Sequence, residues 1–129
     1  MQTVKDMLAA AQAVVEKIDP NKAKELADQG ALLLDIRDQP ELDKTGRAAG
    51  AHHVPRGMLE FRADPDSPYA DPEFRRDRPV IVFCASGGRA WLAGKTLSDM
   101  GYQAVYNAGG FKDWKEAGLP VEEPAVAGM

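Results

Sequence analysis

A chain of 129 residues, 44% hydrophobic and 28% charged, has the length of one domain and enough apolar material for a core. Its formal charge of −4 rules out a dominant basic face, so no nucleic-acid partner is expected, and its single cysteine rules out an internal disulfide. Lys5, Asp6, Glu16 and Lys17 interrupt the N-terminal apolar pattern, and no run reaches the ~18–20 apolar residues of a membrane span, so the expected setting is cytoplasmic, with no membrane partner.

Val4, Met7, Leu8, Ala11, Val14 and Val15 recur at helical spacing and predict an amphipathic helix over residues 3 to about 14. Val14 to Ile18 fits equally well as the start of a short strand. Asp19-Pro20 then reads as an N-cap followed by proline in the first turn of a helix that Gly30 stops, with Ala23, Leu26 and Ala27 on its buried side. Ala31 to Ile36 is a nearly continuous apolar run, as expected of a parallel strand covered on both faces. Pro40-Glu41-Leu42 suggests a helical turn and Lys44 to Gly50 a loop. Ala51 to Val54 is a brief strand closed by Pro55, and Gly57 to Phe61 another turn of helix. Residues 62–79 hold Pro65, Pro68, Pro72 and Pro79 and form a long surface connection, partly ordered by Tyr69 and Phe74. In that connection Arg75, Arg76 and Arg78 alternate with Glu73 and Asp77, as on a solvated loop.

Val80-Ile81-Val82-Phe83 is a buried strand that runs into Cys84, followed by Ala85-Ser86-Gly87-Gly88 and a helical pattern from Arg89. Ala90, Ala93, Leu97 and Met100 form the inner face of that helix, Gly94 lets it approach a neighbour closely, and Gly101 ends it. Tyr102 to Tyr106 is the next strand. Gly109-Gly110, a short helix bearing Phe111 and Trp114, a stop at Gly118, Leu119-Pro120-Val121 and a thin tail complete the chain. Strands alternating with helices imply a parallel sheet with helices on both faces, whose ligands bind outside the carboxyl ends of the strands. Cys84 lies at such an end.

A strand that stops at a cysteine, turns over a glycine-bearing loop and enters a helix is an anion-binding arrangement. Loop N–H groups point inward and the helix start adds partial positive charge. A thiol held there is expected to ionise more easily than a free one, whose pKa is about 8.5, and to stay within reach of solvent. Cys84 is therefore the candidate nucleophile; the bland alternative is a cysteine packed at a strand end. The candidate binding groups are the N–H groups of Ala85, Ser86, Gly87, Gly88 and Arg89, with the Ser86 hydroxyl as a further donor. Arg89 has two readings: it binds an anionic donor, or it pairs with Asp35 at the neighbouring strand end and braces the loop. Asp35 and Arg37 are expected to be structural supports; Arg56, after Pro55, has two readings, a support that reaches the mouth of the site or, as is commoner for an exposed arginine, a solvated side chain. His52 and His53 are adjacent and point to opposite faces of a strand, so they are not a metal pair, and no metal site is expected. Trp91 is expected to flank the cleft and Trp114 to lie in the core.

Leu33-Leu34-Asp35-Ile36-Arg37, Gly50-Ala51 through Pro55-Arg56-Gly57, Cys84 to Arg89, and Gly109-Gly110-Phe111 with Trp114 and Gly118-Leu119-Pro120-Val121 stand in the order found in rhodanese domains. From about residue 14 to 122 the chain resembles that family. It departs at Ala48-Ala49, where members often carry isoleucine and proline, and at Arg47, where histidine is common. The resemblance implies an α/β, rhodanese-like three-layer fold with a central parallel sheet of about five strands. It implies a rhodanese-like domain over 14–129; the helical extension over 1–13 lies outside the similarity, and its apolar stripe has two readings, packing on its own domain, the preferred one, or on another subunit. It also implies sulfurtransferase chemistry through a Cys84 persulfide, fed by a small anionic sulfur donor such as thiosulfate and drained by cyanide or a thiol, including a protein thiol. No cofactor is needed. The resemblance and the chain order favour the bracing role for Arg89. Two rivals remain: a non-catalytic module that docks partners or senses redox state, and a phosphatase or arsenate reductase of related fold. The second is disfavoured because those enzymes carry C-x5-R, whereas Cys84 to Arg89 is C-x4-R.

Overall fold

In the computed structural model, which describes residues 1–124, the chain runs α1 (Val4–Val14), β1 (Glu16–Lys17), α2 (Pro20–Asp28), β2 (Leu32–Asp35), α3 (Gln39–Thr45), β3 (Arg47–Ala48) and β4 (His52–His53). A 3-10 turn at Arg56–Met58 leads into α4 (Leu59–Ala63). Then follow β5 (Val80–Cys84), α5 (Gly88–Asp99), β6 (Val105–Gly110), α6 (Phe111–Glu116) and β7 (Val121–Glu122). The expected extent of the second unit, to residue 129, includes 125–129, which lie outside the described residues.

Five strands form one sheet in the order β1-β6-β5-β2-β4, and every neighbouring pair is parallel. The strands β2 and β5 are buried at every position because each side of the pleat meets helices. Leu32, Leu34, Val80, Val82 and Cys84 pack on one face with Ala90, Ala93 and Leu97 of α5 and Leu59 of α4. Leu33, Ile81 and Phe83 pack on the other with Ala23 of α2 and Phe111 and Trp114 of α6. Alternate residues of one apolar run thus serve two cores, which is why the run shows no polar alternation.

Helix α1 begins at a reciprocal cap: Asp6 N–H donates to Thr3 Oγ1 and Thr3 N–H to Asp6 Oδ2. It packs on the chain's own domain, burying Ala11, while Val4, Met7 and Val14 stay exposed. Just beyond it, buried Val15 comes so close to Gly94 of α5 that a Cβ on Gly94 would lie 3.0 Å from a Val15 methyl, the close approach anticipated at that glycine. Val14 to Ile18 supplies both proposed elements, since the helix ends at Val14 and β1 follows.

Two regions differ from the sequence reading. The strand expected over Tyr102 to Tyr106 begins later and runs through Gly109-Gly110. Tyr102 is instead held at the end of α5, where its N–H donates to Leu97 O and its hydroxyl to Ala63 O at 2.7 Å. The expected loop over Lys44 to Gly50 contains β3, which pairs antiparallel with β7. Two-residue strands carry no periodicity, so their pairing is invisible in sequence. In the long connection over 62–79, Phe74 is buried, with Tyr102 and His52 edge-on to its ring, whereas Tyr69 is exposed and its ring stands edge-on to Phe61.

Candidate active site

β5 delivers Cys84 to the carboxyl end of the sheet beside β6, with Cys84 opposite Gly110. The loop then turns back over its own sulfur. Gly87 N–H donates to Cys84 Sγ at 3.0 Å. Gly87 has φ +105°, a left-handed backbone that glycine adopts without strain, and it is the N-cap of α5. Among the described residues, the N–H groups of Gly88, Arg89 and Ala90 find no hydrogen-bond acceptor. They are the orphan donors at the start of a 12-residue helix, and they carry its partial positive charge to the place where the loop holds the sulfur.

The floor under this loop is Gly109-Gly110. A Cβ on Gly110 would stand 2.0 Å from the carbonyl oxygen of Ala85, so no side chain fits there. A Cβ on Gly87 would meet the backbone of Gly109 at 3.4 Å. The paired glycines, recognised in sequence only as part of a resemblance, let two backbones touch.

Ala85, Ser86 and Gly88 are exposed, but Cys84 itself is only 1% exposed. Of the two features expected of the site, an amide directed at the sulfur is present, and ready solvent access to the thiol is not. The loop closes over the thiol because its amides must face inward to reach it.

Arg89 pairs with Glu41 of α3, not with Asp35. Its two terminal nitrogens donate to the two carboxylate oxygens of Glu41, each at 2.8 Å, in a bidentate fork. Glu41 Oε2 also accepts Asp38 N–H at 2.8 Å. The Arg89 hydrogen bonds hold the Glu41 carboxyl well below the ordinary carboxylate range, at about 2, against an opposing push from burial. Glu41 in turn raises the Arg89 pKa above its usual value. Asp35 is unavailable because Arg37 saturates it. The Arg37 main-chain N–H donates to Asp35 Oδ1 at 3.0 Å, its Nε lies 3.1 Å from both oxygens, and a terminal nitrogen lies 2.8 Å from Oδ2. Arg37 further donates to Thr45 Oγ1 and Gly46 O, and its guanidinium stacks 4.5 Å from the centre of the Phe111 ring.

Arg56 does not reach the site mouth. It donates to Glu60 and to Thr96 on α5. Thr96 lies eight residues into α5, about 12 Å along the helix from the cysteine loop at 1.5 Å per residue. Arg56 joins the start of the 3-10 turn to the body of α5. Trp91 packs against the α5-side core and Trp114 is buried. His52 meets Asp71 at 2.5 Å and His53 the carbonyl oxygen of Arg37 at 2.6 Å, so the two rings serve separate partners.

Sequence reasoning missed Glu41, Asn107 and the α6 lysines. Glu41 stands three residues after Asp38, the spacing of a helix cap, which masks its second partner. Asn107 is a polar residue inside a buried strand, hidden in sequence because the expected strand ended at Tyr106 whereas β6 runs on to Gly110. Next to the loop, a cavity of about 280 Å³ is lined by Ala85, Arg37, Thr45, Phe111, Lys112 and Lys115. A larger one of about 360 Å³ opens at the amino ends of β2 and β4, between Lys24, Asp28, His52 and Arg78, away from Cys84. The loop's chemistry, not cavity size, locates the site.

The family model described as "Rhodanese-like domain" matches residues 19–117. The chain belongs to the rhodanese-like family. This rhodanese-like domain is 35% identical over 102 residues to a thiosulfate sulfurtransferase GlpE of Pseudomonas fluorescens, covering 78% of this chain and 84% of the relative. Among solved structures it is similar to a Rhodopseudomonas palustris protein described as a possible tyrosine phosphatase (TM-score 0.86, 39% identity, 95% and 96% of the two chains). It is also similar to a polysulfide-sulfur transferase homodimer of Wolinella succinogenes (TM-score 0.75, 33% identity, 97% and 90%). The rhodanese-like domain is an enzyme of the sulfurtransferase type. No helix among the described residues is long and apolar enough to cross a membrane.

Proposed function

We propose that this rhodanese-like domain moves sulfane sulfur from a small anionic donor such as thiosulfate to a thiophilic acceptor through a persulfide on Cys84. One observation carries the reading: Gly87 N–H donates to Cys84 Sγ beside the unfilled N–H groups of Gly88, Arg89 and Ala90. In the first half-reaction the Cys84 thiolate attacks the outer sulfur of thiosulfate. The new S–S bond forms as the old one breaks, and sulfite leaves with the bonding pair. The enzyme then holds Cys84–S–S⁻, whose charge the main-chain donors stabilise. In the second half-reaction cyanide, or an acceptor thiolate such as a protein thiol, attacks the terminal sulfur and returns the Cys84 thiolate. Two covalent half-reactions imply ping-pong kinetics. Donor entry requires the exposed Ala85–Ser86 segment to move aside, because Cys84 is 1% exposed. Asp35 and Arg37 hold the end of β2, and Arg89 braces the loop through Glu41. A lone thiol that must stay reduced suits the cytoplasm.

The test is Cys84→Ser in a thiosulfate:cyanide assay, with intact mass measured after incubation with thiosulfate. The expected results are loss of thiocyanate formation with the fold retained, and one added sulfur on the wild-type protein that is absent from the variant. If no sulfane donor adds sulfur to the wild type, the chain is a docking or redox-sensing module instead. A phosphatase or arsenate reductase reading, suggested by the description of the R. palustris structure, is opposed by two observations. The loop is one residue short of C-x5-R, and the guanidinium that would fork onto a tetrahedral oxyanion is already forked onto Glu41.

A further inference from the structure

Asn107 is the only buried polar residue of the described chain besides Asp35 and Arg37, and it is 0% exposed. It sits on β6 in register with Val82 of β5, directly behind the cysteine loop. Its side chain spends both of its functions there. Nδ2 donates to the carbonyl oxygen of Gly87 at 3.2 Å, and Oδ1 accepts the N–H of Gly109 at 2.7 Å. One amide therefore ties the cysteine loop to the glycine pair on which the loop rests. An isolated amide in a core costs more to bury than an apolar residue of the same shape unless both ends are satisfied. Here they are satisfied by the two backbone segments that shape the site.

The bond to Gly87 O has a geometric consequence. That oxygen also accepts the N–H of Trp91 in the first turn of α5, at 3.1 Å. Two donors from different elements fix the plane of the Gly87–Gly88 peptide. The peptide is trans, so its N–H points opposite to its C=O, away from Asn107 and out of the start of α5. The Gly88 N–H has no acceptor among the described residues. We propose that Asn107 is a positioning residue for sulfur transfer: by holding the Gly87 carbonyl it aims the Gly88 N–H at the terminal sulfur of the Cys84 persulfide.

This rests on the persulfide reading, and the experiment separates the two. In the wild-type protein, labelled with ¹⁵N, amide resonances are followed as thiosulfate loads sulfur and intact mass reports the loading. The expected result is one added sulfur and a downfield shift of the Gly88 amide proton, as it gains an anionic acceptor. No added sulfur overturns the persulfide reading and this proposal with it. Added sulfur with the Gly88 resonance unmoved overturns the positioning role alone.

Asn107→Leu keeps the shape and removes both hydrogen bonds, whereas Asn107→Asp keeps the acceptor for Gly109 and removes the donor to Gly87. Both variants are expected to lower kcat for thiocyanate formation by about tenfold, below the 10²–10³ of losing an oxyanion donor outright because the other loop amides remain. The KM for thiosulfate is expected to change little, and the Gly88 shift to be lost. Either variant, folded and turning over at the wild-type kcat with the Gly88 shift intact, overturns the proposal. The wild-type spectra test it even if neither variant folds.

Discussion

Two arginine–carboxylate pairs stand near the cysteine loop, and they are built on opposite plans. Arg37 and Asp35 are two residues apart in sequence, and their side chains are 2% and 0% exposed. Arg89 and Glu41 are 48 residues apart, and their side chains are 38% and 32% exposed. The first pair is buried, its guanidinium bonded also to Thr45 and Gly46 and stacked on Phe111. The second bridges two helices, α3 and α5, and water reaches a third of it. Burying a charge removes its hydration, so the first pair makes a rigid frame that fails badly when halved. A pair that water still reaches is weaker and responds to pH, so the second acts as a tether. The loop that carries Cys84 hangs between the frame and the tether.

The contrast is broken most directly by Asp35→Ala, which leaves the Arg37 charge buried without a partner. The expected loss is about 3–5 kcal/mol in urea unfolding; a loss no larger than that of Arg89→Ala would erase the distinction between frame and tether. Next comes Gly110→Ala, which tests whether the loop needs the glycine floor. Its Cβ would fall 2.0 Å from Ala85 O. Displacing the loop is expected to cost about 1–3 kcal/mol, the scale of overpacking, and to depress sulfur transfer more than stability. Equal activity and an unchanged Tm would show that the loop yields freely.

Arg89→Ala probes the tether itself. About 1 kcal/mol of stability should be lost, discounted for the solvent that reaches both side chains, with little change in the KM for thiosulfate. A KM rise at unchanged Tm would mean that Arg89 holds the donor instead. Glu41→Gln gives the smallest effect and sharpens the contrast by its pH dependence. In the folded chain the Glu41 carboxyl titrates at about 2 rather than at the ordinary 4.5. Its contribution is therefore fully present above about pH 4.5 and lost as the pH falls towards 2. Stability of wild type minus that of Glu41→Gln, measured by denaturation from pH 6 to 2, should shrink through this window. A constant difference would remove the tether's ionic character.

The cysteine loop was legible in sequence because its parts are consecutive: an apolar run, Cys84, two glycines and a helix start, each with a local cause. The strands β2 and β5 were legible for the same reason, and so was Gly94. Arg56 shows the limit of this reasoning. A cation placed after Pro55 near a reactive strand end looked like part of the mouth, yet Glu60, four residues on, and Thr96 on α5 capture it. The ribbon of β3 and β7 went unseen because two residues cannot display a period.

What the chain's order of residues determined unaided is the layered α/β architecture, the placing of Cys84 between a strand end and a glycine-bearing loop, and the start of the helix that follows. All three follow from patterns shorter than a helix, where backbone geometry converts spacing directly into facing. Only the folded molecule decided that Arg89 answers to Glu41, that Asn107 reaches Gly87 and that Gly110 must lack a side chain. Those facts depend on which distant segments come within 3 Å of each other, and long-range contact is set by the packing of whole elements rather than by any local run of residues.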